Sequence, residues 1–460
     1  MATTFGGNRM ISRNRGFGLI EILVGLVVGL VTMIVIMQVG SVFEGQKRAI
    51  TSGGDAQTNG ALAMYMMERE VRTAGNGMTE GVPLQFPPLA GCSTQIFDTA
   101  AFLAPNNNPA ATSTLINGGQ ANVGIRLAPV LATDGGGGNP DSLTVIYGNS
   151  SITAPYDLAN PFTPSAQDTI GLNSSAGIAN GDVVAVVDRA TANVVTATGT
   201  FQIITPQNCG LFQVTQNPAA AAQPGEIQVA RGTRYNASGG NGVAAYTNNA
   251  SLYNLGHLTI VTYRINGGNL VADISRFGTI PDANGNRNPV TNRTDFAPVA
   301  ANIVNMQVQY GIDTGNPLGT IQQNCSTRSP NNTLDTSHAD SIVDAWVDPT
   351  NTAAGQWANN PAANTPALLD LQRVRAVRVG LVARSGVKEP PNKTTGVCDT
   401  TTTAPVISWN TGPNMALNLA ADPDWQCYRY KVFQTTIPVR NALWSSTMNP
   451  ASAASCRGPT

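Results

Sequence analysis

Arg13-Asn14-Arg15-Gly16-Phe17-Gly18-Leu19-Ile20-Glu21 opens a long apolar run, and its reading decides the fold. Across residues 17–43 that run carries one charged side chain, Glu21. As a helix it spans ~40 Å, more than the ~20 residues a bilayer core requires. Arg9, Arg13 and Arg15 precede it without an acid among them. That imbalance holds the N-terminus on the cytoplasmic side and directs everything after Phe43 outward. A carboxylate in such a run is costly, about 2.5–3.5 kcal/mol at mid-membrane, so Glu21 calls for a partner. A cut between Gly16 and Phe17 would create an amine on the same helical face as Glu21. The amine of one subunit could equally meet the Glu21 of its neighbour.

A secretory signal peptide explains the run poorly. Such a peptide has an apolar core of about 7–15 residues followed by a small-residue cleavage site. Ser41-Val42-Phe43-Glu44 offers no such site. A plain membrane anchor leaves Glu21 unexplained. Gly25 and Gly29 follow Glu21 at helical spacing and share its face, a small-x-x-x-small pattern that lets helices approach closely. Basic leader, glycine and Phe-x-x-x-Glu at the head of an apolar helix resemble the type III signal of type IV pilins and pseudopilins. The resemblance implies cleavage after Gly16 by a prepilin peptidase at the cytoplasmic face. It also implies N-methylation of Phe17, and a role for Glu21 in guiding subunit docking. Gly18 stands where many relatives carry Thr or Ser.

The chain has 460 residues, too many for one compact core beyond the anchor. Two lobes, or one lobe with long insertions, are expected. Charged residues make up 12% of the chain, about half the usual ~25%. Cleavage would remove three arginines and no acid, taking the net charge from −1 to −4. Such a surface does not suit nucleic acid, which calls for a basic patch. Cys92, Cys209, Cys325, Cys398, Cys427 and Cys456 all lie beyond the anchor, and none forms a C-x-x-C. An even count in an exported chain points to disulfides, whose pairing the sequence does not choose. Cys398 with Cys427 is favoured, since both flank one C-terminal segment.

Residues 1–16 read as the leader, with Met10 an alternative start. Residues 17–43 read as the membrane half of a long helix and 44–75 as its outer half. Gly53-Gly54 should weaken or bend it. Met64, Met67, Val71 and Ala74 recur at helical spacing and mark a buried face. Gly75 reads as the stop. Residues 76–140 look mostly like loop, with Asp134-Gly135-Gly136-Gly137-Gly138-Asn139-Pro140 a strong breaker. Strand-like runs follow at 143–147, 182–187, 201–205, 226–230, 258–265 and 270–274. Asn266-Gly267-Gly268 between the last two is a hairpin signal. Residues 232–250 read as a polar loop, and 76–298 as a whole as a loop-rich β insertion.

Three later stretches, within the C-terminal sheet region 299–460, have strand character. Residues 303–313 alternate like a half-buried strand. In 373–385, Val377, Val379 and Leu381 do not keep the parity of Val374, which predicts a bulge. Residues 428–441 close the set. In this order, with Glu70-Val71-Arg72-Thr73-Ala74-Gly75 ending the helix, they resemble the PilW family of type IV pilus minor pilins. The resemblance covers about 10–75 and 299–441.

Catalytic chemistry is not visible. His257 and His338 stand far apart, without Cys or carboxylate clusters. The tetraglycine lacks the Gly-Lys-Ser/Thr of a P-loop. Asp282-x-Asn284-x-Asn286 begins like a calcium loop but has Arg287 where glycine belongs and Arg293 where the last acid belongs. No catalytic residue, metal or cofactor is expected, and the chain reads as a structural subunit. The expected fold is α+β: a pilin-like long N-terminal helix, its first half membrane-spanning, packed on an antiparallel β-sheet with large loop-rich insertions.

The resemblance implies a single-pass inner-membrane protein with a periplasmic C-terminal domain, later at the pilus tip. There it would prime assembly and serve twitching motility or adhesion. Implied partners are other minor pilins, the major pilin, the prepilin peptidase, the inner-membrane assembly platform and membrane lipid, not nucleic acid. Two alternatives share the signal: a J-type minor pseudopilin of type II secretion, and a tip adhesin binding through 76–298.

Overall fold

The computed structural model describes residues 18–78, 89, 92–97, 122–152, 154–196, 199–216, 225–233, 235–236, 239–240, 245–277, 279–281, 287–289, 293–312, 343, 345–349, 359–360, 365–366, 371, 374–392, 394–409, 415–419 and 422–441. The chain forms two compact units, Met1–Asp55 and Ala56–Thr460.

Helix α1 (Leu19–Thr73) begins in the first unit and ends in the second. Its start is capped by its own first turn. Glu21 and Ile22 donate their N–H groups to the Gly18 carbonyl, at 2.9 and 3.2 Å. The Gly18 N–H donates back to the Glu21 carboxylate at 3.3 Å, one arm of a capping box. Leu19–Ser41 is long and apolar enough to cross a membrane, and its side chains are exposed. The expected weakening at Gly53-Gly54 does not break the helix, which is continuous through both. Each glycine costs about 1 kcal/mol relative to alanine, which does not end a helix extended on both sides.

In the second unit α1 turns Ala56, Ala63, Met64, Met67 and Val71 into the core, and Ala74 just past its end joins them. The helix stops at Gly75, where φ is +78°, a conformation glycine adopts at little cost. The Gly75 N–H donates to the Ile146 carbonyl at 2.8 Å. Carbonyls of the last turn are met from far along the chain. Asn441 Nδ2 donates to Thr73 O at 3.3 Å and Ala74 O at 2.8 Å.

The strands in chain order are β1 (Cys92–Phe97), β2 (Asn122–Leu127), β3 (Val130–Thr133), β4 (Ser142–Tyr147), β5 (Tyr156–Asp157), β6 (Thr169–Gly171), β7 (Val183–Thr196) and β8 (Gly199–Gln213). Then come β9 (Glu226–Gln228), β10 (Ser251–Gly256), β11 (Leu258–Asn266), β12 (Asn269–Phe277), β13 (Thr279–Pro281), β14 (Arg287–Pro289), β15 (Arg293–Ala300) and β16 (Ile303–Ile312). The last are β17 (Ala345–Val347), β18 (Asn359–Asn360), β19 (Thr365–Pro366), β20 (Val374–Arg384), β21 (Val406–Ile407), β22 (Met415–Ala416) and β23 (Tyr430–Pro438). Strands β1, β2 and β3 lie within 76–140, the stretch expected to be mostly loop. They are short, and β2 holds both a glycine and an arginine, so no long alternation announces them.

The helix shares its core with two antiparallel sheets, where one was expected. One is five-stranded, ordered β15-β12-β11-β4-β3; the other is four-stranded, ordered β17-β16-β20-β23. In the first, Leu143, Val145, Val261 and Tyr263 belong to the helix core. Their strand neighbours Ile146, Leu258 and Ile260 belong to a second core on the other face. Both faces are buried, so these strands read as near-continuous apolar runs. The β11–β12 turn pairs Asn266 with Asn269 across Gly267 and Gly268, both at positive φ, as the hairpin signal required. In the second sheet Gly311 faces Ala376 and Ile312 faces Val374, so Arg375 is the extra residue of a bulge. That bulge returns Val374 to the face of Val377, Val379 and Leu381, and all four enter the helix core.

A third sheet, β5-β10-β7-β8, closes the second core with Val183, Ala185, Val187, Leu211, Tyr253 and Leu255. Its far face carries a separate core that includes Phe162, Phe212 and Tyr246. Residues 148–257 thus lie between two neighbouring strands, since Tyr147 of β4 pairs with Thr259 of β11. The third sheet is an insertion into one hairpin. Its neck is stitched: Asn149 N–H donates to Leu255 O at 3.0 Å, and His257 N–H donates to Asn149 Oδ1 at 2.6 Å.

Candidate functional site

The residues singled out in the sequence fall in separate places. Gly16 and Phe17 lie outside the described residues. Glu21 is in the first turn of α1, joined to the Gly18 N–H. Nothing in the chain stands within 4 Å of a Cβ built at Gly25 or Gly29. No close approach within the described chain requires glycine at either position.

Cys398 and Cys427 form a disulfide, with Cα atoms 4.9 Å apart. Cys209, on β8, is also disulfide-bonded. Cys92 lies on β1; Cys325 and Cys456 are outside the described residues. His338 and most of the calcium-like loop are outside them too. His257 sits at the neck of the inserted sheet, where Asn149 Nδ2 and its Nδ1 are 3.1 Å apart. Among the described residues no group of His, Cys, Asp and Glu could hold a metal ion.

The disulfide staples a flap, residues 385–429, over the outer face of the β16-β20-β23 sheet. Ile407 lies against Gly380, where a Cβ would meet it at 2.6 Å. Val382 packs with Ile407, Leu417 and Leu419. Arg378 projects between Trp346 and Trp409, 4.6 Å from each ring centre, and donates to Gln309 Oε1. Burial lowers the Arg378 pKa to about 10, against the opposing pull of Asp348. At the rim Arg384 pairs with Asp422, Lys388 with Asp424 at 2.7 Å, and Arg429 with Glu389.

The tetraglycine, read from the sequence as a breaker, is a joint between these parts. Gly136, Gly137 and Gly138 all have positive φ. The Asp141 carboxylate accepts the Gly135 N–H at 3.0 Å and the Val308 N–H of β16 at 2.8 Å. Gly138 O accepts from Asn305 Nδ2 at 3.0 Å and from the flap's Asn418 N–H at 2.8 Å. Burial raises the Asp141 pKa to about 7; the two N–H groups pull it down, and nearby Asp134 pushes it up. Sequence reasoning missed this joint because its partners are some 165 residues apart or more, as in Asn305–Gly138. The turn at Asp134 to Asp141 was its only local sign.

Residues 285–441 match the family model of the type IV pilus-assembly protein W. The matched region holds the whole β17-β16-β20-β23 sheet and its stapled flap. No curated protein matches the chain. Among solved structures, a type IV-like pilin from Thermus thermophilus aligns at 12% identity over 41% of this chain and 68% of that one, with a TM-score of 0.18. That score lends no weight to the fold, which stands on the strands and cores described above. Over residues 285–441 the chain is thus similar to the type IV pilus-assembly protein W family.

Proposed function

We propose that this chain is a minor pilin, a structural subunit that takes part in starting type IV pilus assembly at the tip. One observation carries the reading above the rest: α1 is a single helix whose exposed apolar start holds one charge, Glu21, and whose end is locked into an α+β domain. The subunit waits in the inner membrane as a single-pass protein with its domain outside. A prepilin peptidase cuts after Gly16 and Phe17 is N-methylated. The helix then leaves lipid for a bundle of like helices from other minor pilins and the major pilin, at the assembly platform. An unpaired carboxylate in that bundle is strongly penalised, so Glu21 and a terminal amine set axial register.

Glu21→Ala tests this. The variant should insert in the membrane as well as the parent, since its helix is more apolar, and fail to enter sheared pili. Normal entry would remove the docking role.

A second reading has its own observation. The sheet of 148–257 is an insertion that the helix core does not include, which suits a recognition module on a tip adhesin.

A further inference from the structure

Asp134 and Asp141 stand at the two ends of the tetraglycine turn, and their side chains are hydrogen-bonded to each other. An ionised carboxylate only accepts hydrogen bonds, so this bond exists only while the pair holds a proton. Asp141 is 2% exposed, and both its oxygens already accept N–H groups, Gly135 on Oδ1 and Val308 on Oδ2. Asp134 Oδ1 accepts the Gly136 N–H at 2.7 Å. Among the described residues, Asp134 is the charged group that acts on Asp141. Strands β3, β4 and β16 and the flap's residues 415–419 carry no charge. The flap's Asp422 and Asp424 pair with Arg384 and Lys388. Tyr310 of β16 joins the Ala132 backbone, and Tyr147 of β4 turns to Glu70.

The same turn grips the flap. Gly138 O accepts the Asn418 N–H at 2.8 Å, and Asn418 Nδ2 donates to Asn139 Oδ1 at 2.9 Å. Between its ends the turn has room to change shape, since a Cβ at Gly136 or Gly137 would meet nothing within 4 Å. The Cys398–Cys427 disulfide ties the flap's two limbs together, so the β21-β22 hairpin between them can loosen while the flap stays attached.

We propose that Asp134 and Asp141 form a proton-operated latch. One proton shared by the two carboxyls holds the turn closed on Asn418. Its loss sets two like charges against each other and frees the β21-β22 hairpin. The latch stands apart from the minor-pilin reading and needs only a domain that meets the pH of its surroundings. Burial above all, with Asp134 adding to it, raises the Asp141 pKa from the ordinary 3.8 to about 7. The closed turn is therefore favoured in acid and lost as pH rises, and opening should grow roughly thirtyfold between pH 5.5 and 8.

The test is hydrogen exchange of the full chain in detergent, read by mass spectrometry on the peptide holding Asn418 and on β20. Rates are divided by those of the same peptides unstructured at each pH. Asn418 should lose roughly thirtyfold in protection between pH 5.5 and 8, while β20 stays protected. Asp134→Asn removes one charge, keeps an acceptor for the Gly136 N–H, and donates its amide to Asp141 without a proton. Asn418 should therefore stay protected at both pH values in that variant. A carboxylic-acid infrared band that titrates near pH 7 in the parent, and is absent from Asp134→Asn, marks the proton itself. Flat protection of Asn418 in the parent, or the same step in Asp134→Asn, overturns the latch. So does a loss at β20 in step with Asn418, which is a weakening of the whole domain.

Discussion

Gly60 is buried in α1 against the Phe433 ring of β23, and a Cβ there would stand 2.0 Å from the ring's Cε2. Gly60→Ala should therefore destabilise the domain by about 1–3 kcal/mol, although alanine favours helices. Phe433→Leu should recover part of that loss in the double variant, a coupling readable by thermal unfolding. Asp141 predicts a pH dependence. Its folded pKa, about 7, lies above the ordinary 3.8. The fold thus binds this proton more tightly than the unfolded chain does. The stabilisation is complete below pH 4 and is lost as pH rises towards 7. Unfolding free energy should fall across that window in the parent, and fall less in Asp141→Asn. Neither residue announces itself in the sequence. Gly60 is one glycine in a helix, and Asp141 is one acid after a turn. Their roles come from Phe433 and Val308, which only the fold brings near.

Elements with a local signal were legible. Met64, Met67, Val71 and Ala74 marked the buried helix face, Gly75 its end, and Gly267-Gly268 a hairpin. The lost parity of Val374 announced the bulge at Arg375. The insertion was not legible as such. Nothing local says that Tyr147 and Thr259 are neighbours, because a strand reveals its face but not its partner. Two sheets sharing one helix were hidden for the same reason. The insertion makes an element-scale prediction. Residues 149–256 can be replaced by a two-residue turn, with Ile146, Leu258 and Ile260 changed to Thr to suit an opened face. The shortened chain should still unfold cooperatively and enter pili. Lost adhesion with normal piliation would support the adhesin reading, and lost piliation with an intact fold would count against it.

At the scale of the molecule, the chain joins an exposed apolar helix to a domain with its own core. The β17-β16-β20-β23 sheet lies in the region similar to the type IV pilus-assembly protein W family, and it shares the helix core with the five-stranded sheet. Glu21 ties the account together: a carboxylate at the head of an oily rod is tolerable when a positive terminus neutralises it. On the proposed reading, cleavage after Gly16 would supply that terminus. The most direct measurement is intact and N-terminal peptide mass spectrometry of the full chain purified from its native membrane and pili. The account predicts a chain beginning at N-methylated Phe17. A mature chain that still begins at Met1 or Met10 would contradict it.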